Sequence, residues 1–189
     1  MSDTTPEDLP PGLLEERGSD RLHIGGLARR ADWKVLNIQA GPNVDYVGDV
    51  RDLSRFAERS FDMVYASHTL EHLGHRGDLQ KALREVARIL RPGGRFFISV
   101  PDMTILAWVF AQPEMTDDNR YLIMRMMFGN QKDAYDFHYV GLWQGFLADL
   151  LRDAGFREVH RVERFGLFHD DSETRVNDVL ISLNVVAVK

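Results

Sequence analysis

Apolar residues along this chain fall into two rhythms, and the changes between them predict its elements. Short apolar runs occur at residues 21–26 (RLHIGG), 33–39 (WKVLNIQ), 44–48 (VDYVG), 61–66 (FDMVYA) and 95–100 (RFFISV). Runs of that length between turn residues read as buried strands. Before the fifth run, Leu79, Ala82, Leu83, Val86, Ala87 and Leu90 recur at helical spacing. Pro92-Gly93-Gly94 is expected to stop that helix, because Pro lacks the amide and Gly accepts positive φ. Strand, helix, tight turn and strand make a βαβ unit. Such units build parallel sheets that bind ligands at the strand C-termini.

The rhythm is looser elsewhere. Residues 1–20 are rich in Pro, Asp, Glu and Gly and read as a flexible N-terminal arm. A short helical piece is expected at 53–57. Segments 103–111 and 117–128 both look helical, and the second carries Met124, Met126 and Met127 beside Leu122, Ile123 and Phe128. A polar, aromatic loop follows at 129–140. Together, 103–141 read as a helical cap inserted in a domain that spans 21–189. The Met-rich stretch within 103–130 is expected as a packing face or a homodimer surface. Residues 142–154 form an amphipathic helix pattern, with Phe146, Leu147, Leu150 and Leu151 on one stripe and Gly155 beyond its end. Segments 156–165 and 178–189 are two final strand patterns.

Two segments, FDMVYASHTLEHL at 61–73 and ARILRPGGRFFISVPD at 87–102, supported by LRDAGFREV at 151–159, carry a family resemblance. With this order of elements, the chain resembles the class I S-adenosylmethionine-dependent methyltransferases, in a methyltransferase-11-like branch with a short first crossover. The resemblance runs over 21–189. It implies an α/β, Rossmann-like fold: a seven-stranded, mostly parallel sheet, the last two strands paired antiparallel, helices on both faces. It implies S-adenosylmethionine over the ends of the first four strands. Gly25 and Gly26 would let backbone approach the methionine part, where a Cβ would intrude. Asp49 would accept from the adenine amino group, with the Val50 amide beside it, though an N-cap role suits Asp49 too. Ser67 and His68 would line the methionine side. Asn37 stands where the family usually has an acid gripping the ribose hydroxyls.

The glycine turn has two glycines where the family has three, and six residues, 27–32, leave no room for a crossover helix. Two functions therefore stay open. One is O-methylation of a small polar or sugar-like acceptor, with His72 or His138 as base and Asp102 and Tyr139 near the acceptor. The other is a methyltransferase-like domain without catalysis, serving as scaffold or regulatory partner. Nicotinamide chemistry expects G-x-G-x-x-G between strand and helix, which is absent.

Composition narrows the partners. Net charge is −6, from 23 basic and 29 acidic residues, with no basic stripe among aromatics, so nucleic acid is not expected. There is no cysteine, which excludes disulfides, thiolate metal sites and a cysteine nucleophile. No signal peptide is visible and the longest apolar run is far below the ~20 residues of a membrane span. A cytoplasmic, membrane-free setting is the expectation. His68-Thr69-Leu70-Glu71-His72 spells H-x-x-E-H, a zinc-peptidase signature. His68 lies at a strand exit, Gly74 and Gly77 follow, and no downstream carboxylate offers a third ligand. No metal is therefore expected.

Overall fold

The computed structural model describes residues 9–189. Its sheet is built from β1 (Arg21–Ile24), β2 (Lys34–Asn37), β3 (Tyr46–Val47), β4 (Phe61–Ser67), β5 (Leu90–Pro101), β6 (Glu158–Val162) and β9 (Ser182–Val188), in the order β3-β2-β1-β4-β5-β9-β6. The pairs within β3-β2-β1-β4-β5 are parallel, and β9 runs antiparallel to both β5 and β6. β7 (Arg175–Val176) and β8 (Val179–Leu180) form a separate small hairpin.

Residue alternation splits the core in two. Val64, Ala66, Phe96, Ile98, Leu183 and Val185 face α1 (Asp78–Ile89) and α4 (Gln144–Asp153), which share one side of the sheet. Met63, Tyr65, Phe97 and Val186 face the other side. Among the described residues Leu13, Trp33, Phe165 and Leu167 from irregular chain pack on the second face. The short link between β1 and β2, which leaves no room for a helix there, contributes to this.

The expected loose arm lies partly outside the described residues, at 1–8. From Leu9 onward it is fastened. Leu13 is buried, and the Arg95 guanidinium donates to the carbonyls of Gly12 at 2.6 Å, Leu13 at 2.5 Å and Glu15 at 2.6 Å.

Two other expectations shift. α1 ends at Ile89, before Pro92, because Leu90 is already extended and pairs with Phe61. Pro92 disfavours helical backbone just before it, and Pro92-Gly93-Gly94 becomes an irregularity at the start of β5. Residues 53–57 form turns, not a helix. Phe56 N donates to Leu53 O at 2.9 Å in a turn, and Arg88 adds Nη2 to Leu53 O at 2.8 Å and Nη1 to Phe56 O at 3.0 Å.

α2 (Met103–Phe110) and α3 (Asp117–Phe128) appear as expected. They pack around Leu106, Val109, Met115 and Ile123, together with Val176 and Ile181 beside the hairpin.

Candidate active site

The first four strands end at a cleft of about 630 Å³. β1 runs into Gly25, whose amide donates to Leu36 O at 2.8 Å. Gly25 holds φ +77°, and a Cβ there would sit 2.2 Å from Thr69 Oγ1. Glycine is therefore required by the turn and by the approach of Thr69. Gly26 lies against the His23 ring and does not line the cleft. Its expected place beside the methionine moiety is corrected accordingly.

Asn37 lines the cleft but is occupied. Its amide donates to Gly25 O and Gly26 O, both at 3.1 Å, and its Oδ1 accepts from Gln39 N at 2.9 Å. It acts as a clasp holding β2 to the glycine turn.

Asp49 and Val50 follow β3 and line the same cleft. Arg51 grips the Asp49 carboxylate through Nε at 3.0 Å and Nη2 at 2.6 Å. Burial pulls the Asp49 pKa upward, but the Arg51 contacts outweigh it and hold the group below its ordinary value. Sequence reading did not single out Arg51. Leu36, Ile38, Val50 and Leu73 give the cleft apolar walls.

β4 exits through His68, a non-glycine residue at φ 47°. Such backbone persists where surrounding structure fixes it, commonly at functional sites. Ser67 does not line the cleft; its hydroxyl is buried without a partner. After His68 comes a single 3₁₀ turn, Leu70–His72.

The loop over 129–140 is stitched to that turn. Tyr139 N donates to Glu71 O at 2.8 Å and His72 Nδ1 meets Phe137 O at 3.0 Å, while His138 Nδ1 ties the loop back to α3 at Met126 O, 2.9 Å away. Gly129 makes the bend possible, with φ +82° and Asp136 O where a Cβ would be. Asp133, Tyr135, Asp136 and Tyr139 from the loop then form the outer wall of the cleft. Tyr139 is 56% exposed, a rim residue.

A second cavity, of about 360 Å³, adjoins the first and shares His68, His72 and Asp136 with it. Glu71, His138, Arg125, Asn130, Asp171 and Thr174 also line it. Glu71 is 1% exposed, and burial pushes its carboxyl up to about 8. Burial, aided by His72, lowers His138 to about 4, which makes it a weak base. Sequence reading placed Glu71 only within the H-x-x-E-H pattern and did not foresee His138 beside it.

Asp102 is in neither cavity. It is 2% exposed, caps α2 by accepting from Thr104 N at 3.0 Å, and pairs with Arg161 Nη2 at 3.0 Å. The expected place near an acceptor is thereby corrected: the carboxylate turns back to the helix it starts.

A family model described as "Methyltransferase domain" matches residues 28–98. The chain is 27% identical over 158 residues to the ubiquinone/menaquinone biosynthesis C-methyltransferase UbiE of Pseudoalteromonas translucida, covering 80% of this chain and 55% of that protein. It is 35% identical over 141 residues to the demethylmenaquinone methyltransferase of Mycolicibacterium paratuberculosis, covering 68% and 57%. In structure it is similar to a SAM dependent methyltransferase from Archaeoglobus fulgidus, with TM-score 0.58 and 18% identity over 91% of this chain and 87% of that one.

The chain is similar to the class I S-adenosylmethionine-dependent methyltransferases. Its sheet order and its cleft at the strand ends are those the resemblance implies. It spans about half the length of the curated relatives it matches. The cleft has apolar walls, and Asp49 and Val50 line it. These residues fit the cofactor that the resemblance implies, except that Asn37 is already committed to the glycine turn.

Proposed function

We propose that this chain is an S-adenosylmethionine-dependent methyltransferase whose cofactor occupies the larger cleft and whose acceptor occupies the smaller cavity. The observation that carries this reading is the meeting of the two spaces at His68 and His72. Bound S-adenosylmethionine would supply an electrophilic methyl group on sulfur, which leaves the protein to hold, align and exclude water.

Asp49 and the Val50 amide would receive the adenine edge, and Gly25 and His68 would flank the methionine side. Tyr139 and Asp136 would close the rim. The acceptor is inferred to be a small polar molecule methylated on oxygen, sugar-like in its density of hydroxyls. Arg125, Asn130, Asp136, Asp171 and Thr174 around the smaller cavity support that choice, since each offers a hydrogen-bonding group. The relatives include the ubiquinone/menaquinone biosynthesis C-methyltransferase named above and a ubiquinone biosynthesis O-methyltransferase of Xanthomonas euvesicatoria, 34% identical over 79 residues. A volume of about 360 Å³ favours a compact acceptor over a long apolar one. His72 would orient the acceptor, while His138 is too weak a base for the proton-accepting role expected of it.

The scaffold reading keeps one supporting observation: Asn37 and Asp49 already have partners inside the protein. Calorimetric titration with S-adenosylhomocysteine decides between them. The catalytic reading expects one saturable site, weakened in Asp49→Ala by about 2 kcal/mol, roughly thirtyfold. No binding to the folded wild-type chain would leave the scaffold reading.

A further inference from the structure

The side chains of His68, Glu71, His72 and His138 gather around the smaller cavity, and each carries an acceptor to which the structure gives no donor. His72 and His138 each point Nδ1 at a backbone carbonyl, Phe137 O and Met126 O. A carbonyl only accepts, so each ring carries its proton on Nδ1 and leaves Nε2 as a bare lone pair. Ser182 Oγ donates to Asp171 O at 2.9 Å and so accepts from His68 Nε2 at 3.0 Å. That leaves His68 Nδ1 bare as well, 3.4 Å from Glu71 Oε1. Both oxygens of the buried Glu71 carboxyl lack a hydrogen-bond partner. A proton on Glu71 could satisfy one neighbour, His68, and would still leave both Nε2 lone pairs of His72 and His138 facing the site.

We propose that Glu71, His72 and His138 bind a divalent transition-metal ion, zinc first among them. One ligand atom from each of the three lies within 4.8 Å of the other two. A tetrahedral zinc about 2.1 Å from each ligand needs ligand atoms roughly 3.4 Å apart. Rotation of the Glu71 carboxylate and a small shift of the loop that carries His138 would close the difference, with both rings kept in orientation by their Nδ1 contacts. The donor set, two imidazole nitrogens and one carboxylate, matches three-ligand zinc sites that keep a fourth position open. Nδ1–H bonds from both rings to carbonyls are the outer contacts that fix ring orientation in such sites. The open position would face the smaller cavity, where a neutral oxygen ligand such as a hydroxyl or water would complete the shell. The expectation of no metal at H-x-x-E-H rested on His68 at a strand exit, on Gly74 and Gly77 beyond the motif, and on the lack of a downstream carboxylate as third ligand. The loop over 129–140 brings His138 instead, so the motif's own first His68 is displaced from the ligand set.

The test uses untagged full-length chain stripped with chelator and dialysed. Zn(II) is titrated against a chromophoric competitor, stoichiometry is read by mass spectrometry of the metal, and Co(II) absorption reports geometry. The expected result is one equivalent per chain, a tetrahedral-type cobalt band, and affinity lowered by about a hundredfold in both Glu71→Gln and His138→Gln. His75→Gln, at an exposed position nearby, should bind as wild type. Circular dichroism checks that each variant is folded. Binding that is substoichiometric, or that Glu71→Gln and His138→Gln leave unchanged, overturns the proposal. S-adenosylhomocysteine titration of the same stripped protein is scored separately, so loss of the metal site and loss of the cofactor reading are distinguishable.

Discussion

Asn37→Asp would restore the acid that methyltransferases usually carry at this strand end, yet the structure makes it a destabilising change. The Asn37 amide donates two hydrogen bonds, to Gly25 O and Gly26 O at 3.1 Å. A carboxylate cannot donate, and each lost bond costs about 1 kcal/mol. Its charge would also face two carbonyl oxygens at a site only 8% exposed, adding about 1–2 kcal/mol. The sum, about 3–4 kcal/mol, is a large share of the ~5–15 kcal/mol stability of an ordinary domain. Urea unfolding, followed by the fluorescence of the buried Trp33, measures it. The new carboxyl would have a folded pKa raised above its unfolded value of about 4. Its charge penalty is therefore full at neutral pH and fades as pH falls toward that value. Equal stability of Asn37→Asp and wild type at pH 7, or tighter binding of S-adenosylhomocysteine by the variant, would refute the view of Asn37 as a clasp.

Three further outcomes follow from the packing. His23, buried between Tyr65 and Phe168, is lowered from 6.5 to about 4 by burial, against the pull of Asp170. It stays neutral when folded, so stability is full above pH 6.5 and falls by about 3 kcal/mol as pH drops toward 4. The His23→Gln variant should lose that part of the slope in urea titrations, and an unchanged slope counts against it. Asp102→Ala removes the cap of α2 and the partner of Arg161, and should cost about 2 kcal/mol while leaving S-adenosylhomocysteine affinity unchanged; a tenfold loss of affinity would return Asp102 to the site. Arg95→Met frees the carbonyls of residues 12, 13 and 15, so limited proteolysis should cut before Arg21 faster than in wild type. Equal cutting rates would show that Arg95 does not hold this segment.

The sheet was legible because its strands are short apolar runs bounded by turn residues, and the family motifs lie on β4, α1 and β5. The failure at 53–57 has a tertiary cause. Leu53 and Phe56 recur at helical spacing because both enter the core, while a single turn from Leu53 O to Phe56 N and the Arg88 contacts to Leu53 O and Phe56 O hold the segment without a helix. At the site, Gly25, Asn37, Asp49, Val50, His68, His72 and Tyr139 line the larger cleft, and Tyr139, expected near the acceptor, does not line the smaller cavity. Position alone could not say where a side chain turns. Asp102 turns to its own helix, Asn37 to the glycine turn, Asp49 to Arg51. A signal for Asp102 was present, since an Asp just before a helical run is a common N-cap. The convergence of Glu71, His72 and His138 joins a 3₁₀ turn to a distant loop, and no local pattern in the sequence encodes it.

The most direct measurement is a crystal of this chain soaked with S-adenosylhomocysteine. Density for the adenosine is expected across the ends of β1, β2 and β3, with the base beside Asp49 and Val50 and the homocysteine end toward Gly25 and His68. A saturated crystal with that cleft empty, or with the nucleoside bound elsewhere on the chain, would contradict the placement of the cofactor and the methyltransferase reading built on it.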